Sequence, residues 1–312
     1  MKNRILLLVI IISSIFYVES YAQQEAQYTQ YMYNTLSFNP AYAGQRDVLS
    51  VVGLHRSQWV GLDGAPRTQT ISLHSPIGES NKIGLGFSIV NDEIGPTHET
   101  NFDIAFSYKI QFSDDKNLTF GLKAGGHLLD VAFSELNAQS AGDQLLQSDI
   151  NNKFSPNFGL GLYYRNSDRW YLGLSAPNIL ETEHFDNLAL STARERIHFY
   201  LMGGYVFDLT DTVKFKPAAL VKAVSGAPLQ ADLTANFLFF DKLTLGAAYR
   251  WDAAFSGLAG FQVSDELMIG FAYDRETTDL GRTQFNDGSY EVFLRFEMLN
   301  KKKGRLISPR FF

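Results

Sequence analysis

The stretch at residues 229–251, LQADLTANFLFFDKLTLGAAYRW, decides the fold class. Successive side chains of an extended chain point to opposite faces, which puts Ala231, Leu233, Ala235, Phe237 and Phe239 on one side and Gln230, Asp232, Thr234 and Asn236 on the other. After Asp241 and Lys242 the alternation resumes, with Leu243, Leu245, Ala247, Tyr249 and Trp251 against Thr244, Gly246, Ala248 and Arg250. The period is two rather than 3.6, so the stretch is a β-hairpin with one oily and one wet face. Strands of a soluble sandwich alternate in the same way. The number, length and spacing of similar segments separate the two architectures.

Working outward from this hairpin, about fourteen extended segments follow one another between Asp47 and Leu299. They fall near 47–58, 66–76, 82–91, 99–112, 116–129, 154–166, 169–176, 195–208, 212–224, 229–240, 242–252, 254–263, 266–275 and 288–299. Most have the roughly 9 to 11 residues that a tilted membrane strand requires. The last carries Tyr290, Val292, Leu294, Phe296 and Met298 on one face and Glu291, Phe293, Arg295 and Glu297 on the other. Charges at that spacing cannot face lipid, so Glu291, Arg295 and Glu297, together with Asp232 and Arg250, are expected to line a polar lumen.

The connections support a barrel that crosses an outer membrane. WVGLDGA, NDEIGPTH, the stretch 130–153, the stretch 177–194 and ETTDLGRTQFND are long, whereas IGESN, SDD, NSD, LTD, DK and SD are short. Long and short links alternate through most of the chain, although those near Ser225-Gly226 and at Ala253 break the pattern. Outer-membrane barrels pair short periplasmic turns with longer outward loops in this way. An even strand count returns both barrel termini to the periplasm.

The ends of the chain fit export. Residues 1–22 combine Lys2 and Arg4 with an apolar run and the small residues Ser20 and Ala22, the pattern of a secretory signal peptide. Residues 23–46 hold several tyrosines among amides without alternation, punctuated by Asn39-Pro40 and Ala43-Gly44, and are expected to form a non-strand plug or arm. The barrel then occupies residues 47–299. The tail at 300–312, NKKKGRLISPRFF, contains Gly304 and Pro309, which argue against a strand, and is expected to be a periplasmic element.

Composition excludes several functions. The net charge is −6 and no basic stripe precedes Lys301, so nucleic acid is not an expected partner. The chain has no cysteine, which removes disulfides, zinc thiolates and cysteine nucleophiles. His55, His74, His98, His127, His184 and His198 form none of the spaced pairs that bind zinc, and His55 and His74 are expected in a polar barrel wall. Gly84/Gly86 and Gly159/Gly161 resemble part of a phosphate loop but sit inside strands with no helix after them. Small residues there relieve crowding in a lumen or let a plug approach the wall. No catalytic set, cofactor or metal site emerges.

A run of motifs remains: the Gln30-Tyr31 region, Asn39-Pro40-Ala41-Tyr42-Ala43-Gly44, Arg56-x-Gln58-Trp59-x-Gly61, Gly64-Ala65-Pro66-x-Thr68-Gln69, Gly84-x-Gly86 with Asn91-Asp92, and a terminal Ser308-Pro309-Arg310-Phe311-Phe312. In this order the chain resembles the PorP/SprF family of outer-membrane proteins tied to the type IX secretion system. The resemblance implies a barrel that is not an enzyme. It would help export, retain or anchor a large adhesin-like secreted protein with a C-terminal sorting domain, alongside secretion and gliding-motility components. Candidate plug or partner-binding residues are Asn39, Pro40, Ala41, Tyr42, Gly44, Trp59, Gly61 and Pro66, with residues 34–44 inside or beneath the barrel and residues 59–66 in an outward loop. Arg305, Pro309, Arg310, Phe311 and Phe312 are candidates for periplasmic docking. A transporter for small or apolar solutes and an envelope-anchoring barrel are the alternatives.

Overall fold

The computed structural model describes residues 26–135, 149–180 and 196–298. After an N-terminal arm come β1 (Leu49–Ser57), β2 (Arg67–Ile77), β3 (Ile83–Ile94), β4 (Thr97–Ser113), β5 (Lys116–Val131), β6 (Ile150–Asn166), β7 (Trp170–Ala176), β8 (His198–Tyr205), β9 (Phe207–Thr210), β10 (Val213–Val224), β11 (Gln230–Phe239), β12 (Leu243–Arg250), β13 (Ala254–Gln262), β14 (Leu267–Glu276) and β15 (Ser289–Met298). Each pairs antiparallel with its neighbours, β15 returns to β1, and β10 joins β11, so the sheet closes. β8 and β9 both pair with β10 and occupy one wall position, interrupted at Val206. The barrel therefore has fourteen wall positions.

Alternation sets which face each residue takes. In β15 the inner residues Ser289, Glu291, Phe293, Arg295 and Glu297 are all buried, while Tyr290, Val292, Leu294, Phe296 and Met298 are exposed on the outside. β11 repeats the pattern, with Thr234, Asn236 and Leu238 buried and Leu233 and Phe237 exposed. In β6, Ser155, Asn157 and Tyr163 point in and Phe158, Leu160 and Leu162 point out. The apolar exterior continues around the wall through Ile71, Leu85, Ile104, Leu122, Leu174, Leu201, Leu245 and Phe271. Apolar outside and polar inside is the inverse of a soluble sheet protein and matches a wall in hydrocarbon. Among the described residues no helix is long and apolar enough to cross a membrane, so the crossing is by strands.

Two expectations are corrected. NDEIGPTH is not a long loop: the ladder continues through Asn91↔Thr100, Asp92↔Glu99, Glu93↔His98 and Ile94↔Thr97, leaving only Gly95 and Pro96 as the link. A ladder that projects beyond the hydrocarbon is wet on both faces and loses its hydrophobic alternation, which makes it look like loop. His55 does not belong to the lumen wall. It is exposed on the outer face near the rim, hydrogen-bonded to Ser57 Oγ at 3.0 Å, whereas His74 faces inward.

The end of the barrel carrying the short turns at 78–82, 114–115, 167–169, 211–212, 240–242 and 263–266 is the periplasmic end. β1 begins and β15 finishes there. Residues 58–66 and 277–288 connect strands at the opposite, outward end.

Candidate functional site

The lumen is occupied by the N-terminal arm. From Tyr28 to Arg46 nearly every residue is buried, although the segment contains only one helical turn, α1 (Thr35–Phe38), and a 3-10 turn at Pro40–Tyr42. A chain with so little regular structure inside a barrel must find partners for its backbone on the wall. The contacts are made at three levels.

Near the outward end, Glu291 accepts hydrogen bonds from the backbone N–H of Thr29 (2.9 Å) and Gln30 (2.8 Å) through its two carboxylate oxygens. Arg56 reaches Asp274 at 2.6 Å and Glu291 at 3.2 Å, and also donates to Thr29 Oγ1 at 2.9 Å. Thr29 Oγ1 in turn donates to Asp274 at 2.6 Å. One cation thus lies between two buried carboxylates, and the arm's hydroxyl and N–H groups fill acceptor positions that would otherwise be bare. Arg250, paired with Asp232 at 2.6 Å, donates to the Tyr28 carbonyl at 3.3 Å. The Tyr28 hydroxyl pairs with Thr70 at 2.8 Å, and Tyr31 pairs with Thr234.

At mid-depth the Asn-Pro-Ala-Tyr-Ala-Gly run fits the wall residue by residue. Asn39 caps the 3-10 turn by accepting from Ala41 N–H at 2.9 Å and donates to the Leu162 carbonyl at 2.9 Å. Pro40 opens the turn where its missing N–H costs nothing. Wall glycines provide the clearance: a methyl added at Gly121 would fall on the Pro40–Ala41 backbone, and one at Gly161 on the Asn39 side chain. Tyr42 packs edge-on against His74 and Tyr163, with ring centroids 5.4 and 5.5 Å away. Ser175 donates to the Phe38 carbonyl and Ser107 to the Ala43 carbonyl, each at 2.7 Å. Tyr33 stacks on Phe293, centroid to centroid 4.3 Å.

At the periplasmic end Gly44 turns with φ +73°, a conformation that favours glycine, and an added Cβ would stand 2.9 Å from the Gly84 Cα. Gly44 N–H donates to His74 Nδ1 at 3.1 Å. Arg46 forms a two-point pair with Glu297, Nε to Oε1 at 2.5 Å and Nη2 to Oε2 at 2.8 Å, and Arg295 Nε lies 4.0 Å from the same carboxylate. Asp47 meets Lys109 at 2.9 Å. A cavity between Met32, Tyr33, Leu36, Tyr42 and Arg46 on the arm and Ser50, His74 and Arg295 on the wall holds about 10 Å³, room for a single water.

Asn39, Pro40, Ala41, Tyr42 and Gly44 therefore lie together in the lumen, and Glu291, Arg295, Glu297, Asp232 and Arg250 lie on the wall that faces the arm. Trp59, Gly61 and Pro66 are elsewhere, in the outward loop. Val60 N–H donates to the Gly288 carbonyl and Asp287 N–H to the Val60 carbonyl; Gln58 N–H bonds Pro66, and Gly64 receives Gly95 N–H. Trp59 holds φ +47° and Gly61 φ +104°, packed against the Phe285 carbonyl. The loop is therefore a stapled rim shared with residues 285–289 and the β3–β4 tip. Arg305, Pro309, Arg310, Phe311 and Phe312 lie outside the described residues, as does His184. Sequence reasoning missed Arg46 and Asp274 and quoted Arg56 without an inward role, whereas His74 stands in the polar wall as expected. Arg46 and Arg56 stand beside or within the quoted motifs, and each is a charge on an inward position.

Residues 20–296 match the family described as type IX secretion system membrane protein PorP/SprF. No curated protein matches the chain. Among solved structures, the toluene transporter TbuX of Ralstonia pickettii superposes with a TM-score of 0.51 at 9% identity, covering 84% of this chain and 92% of that one. The CymD monoaromatic hydrocarbon channel gives 0.50 at 11% identity, with 91% and 95% covered. The Acinetobacter baumannii outer membrane protein Omp33 gives 0.48 at 9% identity, with 80% and 98% covered. These likenesses are of fold.

Proposed function

The chain belongs to the PorP/SprF family of type IX secretion system membrane proteins, and on that premise we propose that it is an accessory barrel that helps export, retain or anchor a large secreted, adhesin-like surface protein with a C-terminal sorting domain. It is an outer-membrane β-barrel, and its family is one of secretion-system membrane proteins rather than enzymes. The observation that carries the proposal is the filled lumen. An arm held at three levels occupies the lumen of the described barrel, and the stapled outward rim from Trp59 to Pro66 offers a surface for a partner. A rigid rim loses little conformational entropy when a partner binds.

Affinity purification of the tagged protein from its native outer membrane in mild detergent, followed by mass spectrometry, tests the proposal. Recovery of a large multidomain secreted protein or of periplasmic secretion components supports it. Recovery of the barrel alone, together with toluene-class solute flux in liposomes, moves the assignment to a transporter, the activity named for TbuX and CymD. The latched arm weighs against that second reading.

A further inference from the structure

We propose that the cavity beside the Arg46–Glu297 pair is a binding site for one small monovalent anion of the halide class. Strand register builds its wall. Across β15, β1 and β2 the inward residues Glu297, Ser50 and His74 stand on one row, and Arg295, Val52 and Ser72 on the next. Arg46 reaches the same place from the arm, and Tyr42 covers it. Among the described residues that line the cavity there is no carboxylate.

Two guanidiniums share one carboxylate here. Arg46 engages both oxygens of Glu297, at 2.5 and 2.8 Å, and Arg295 Nε stands 4.0 Å from Oε1. Arg295 otherwise meets the Met268 sulfur at 3.2 Å and the face of Tyr33 at 5.5 Å, and neither carries a full negative charge. All three charged side chains are buried, so bulk water does little for the surplus cation. The hydroxyl of Ser50, a residue 1% exposed, lines the cavity and has no hydrogen-bond partner among the described residues. His74 accepts the Gly44 N–H at Nδ1, which leaves its own hydrogen on Nε2 as another donor. Donors and excess positive charge thus surround a space of about 10 Å³. A water there satisfies the hydroxyl but brings no charge. A halide is only slightly larger than water, accepts from several donors at once and balances the second guanidinium, whereas sulfate and phosphate are too large. Because Arg46 and Tyr42 supply part of the lining, the site is complete only with the arm seated, and it does not depend on what the barrel exports or retains.

The test uses the protein purified from its outer membrane in detergent, with two readouts that cover fast and slow exchange. Thermal midpoints are measured in sodium gluconate with increasing sodium chloride or bromide at constant ionic strength. In parallel, protein passed into gluconate is denatured and the chloride it releases is counted per chain. An exchanging ion raises the midpoint saturably with either halide; a trapped ion is released at one per chain. Crystals grown in bromide should show an anomalous peak between Ser50, His74 and Arg295. Ser50→Ala should weaken halide binding by roughly tenfold or more, the loss of one hydrogen bond to a charged acceptor, and Arg295→Met should abolish it. A midpoint indifferent to halide together with no released chloride overturns the proposal and leaves water in the cavity. Bromide found only on the protein surface does the same. So does a Ser50→Ala variant that is less stable in gluconate and bromide alike while its halide binding is unchanged, since the hydroxyl is then structural. If neither variant folds, the measurements on the native chain decide.

Discussion

Arg46 and Glu297 form a two-point ion pair across 251 positions of sequence, joining the last residues of the arm to the penultimate residue of the closing strand. Both side chains are more than nine-tenths buried. Removing one partner of a buried pair costs about 3–5 kcal/mol, and Arg295, 4.0 Å from Glu297, offsets part of that when Arg46 is the partner removed.

Arg46→Ala should therefore lower the thermal midpoint of the detergent-solubilised barrel markedly, while Arg46→Ala combined with Glu297→Gln should recover part of the loss. Thermal unfolding of the four members of this cycle measures it. A double variant no more stable than Arg46→Ala would show that the pair is not the source.

Glu291→Gln removes one of the two acceptors for the Thr29 and Gln30 N–H groups and unbalances the Arg56 cluster. Hydrogen exchange at residues 27–33 should accelerate while exchange in β2 to β6 is preserved. Equal acceleration across the wall would mean that Glu291 stabilises the barrel rather than the arm.

Gly121→Leu places a side chain where the Pro40–Ala41 backbone lies. The barrel should still insert, but with the arm displaced and ion conductance appearing in planar bilayers where the native protein is silent. Gly257→Ala, which meets nothing within 4 Å, is the control and should stay silent. Silence of a correctly inserted Gly121→Leu would remove the arm as the seal.

Trp59 has a positive φ and its N–H lies 3.2 Å from Ser289 Oγ. Trp59→Gly keeps the backbone conformation accessible and removes the indole. Barrel level and heat-modifiability should be native while surface retention of the secreted partner falls. Loss of the barrel instead would assign Trp59 a purely structural role.

Most of the wall was legible in the sequence because each strand within hydrocarbon has one apolar and one polar face, as in Leu233/Thr234 and Phe296/Glu297. The fourteen expected segments correspond to the observed wall positions. Legibility failed where the solvent contrast fails: Asn91–Ile94 and Thr97–Thr100 rise above the membrane, both faces are wet, and the ladder loses its pattern. His55 was misplaced because a histidine near the rim can face outward beside headgroups at little cost. The seat of the arm was only half legible. Gly84 and Gly86 signalled close approach, but nothing local says that Gly121 faces Ala41 or that Asp274 shares Arg56 with Glu291, since those meetings depend on barrel closure.

The arm's strongest ligands are divided between the first and last strands: Arg56 comes from β1, and Glu291 and Glu297 from β15. These two strands also form the seam that turns an open sheet into a cylinder, paired from Leu49↔Met298 to Ser57↔Tyr290. Neither strand of the seam satisfies the arm alone. The N-terminal segment thus acts as a rivet across the seam, joining β1 and β15 from the inside beside the ladder that joins them edge to edge.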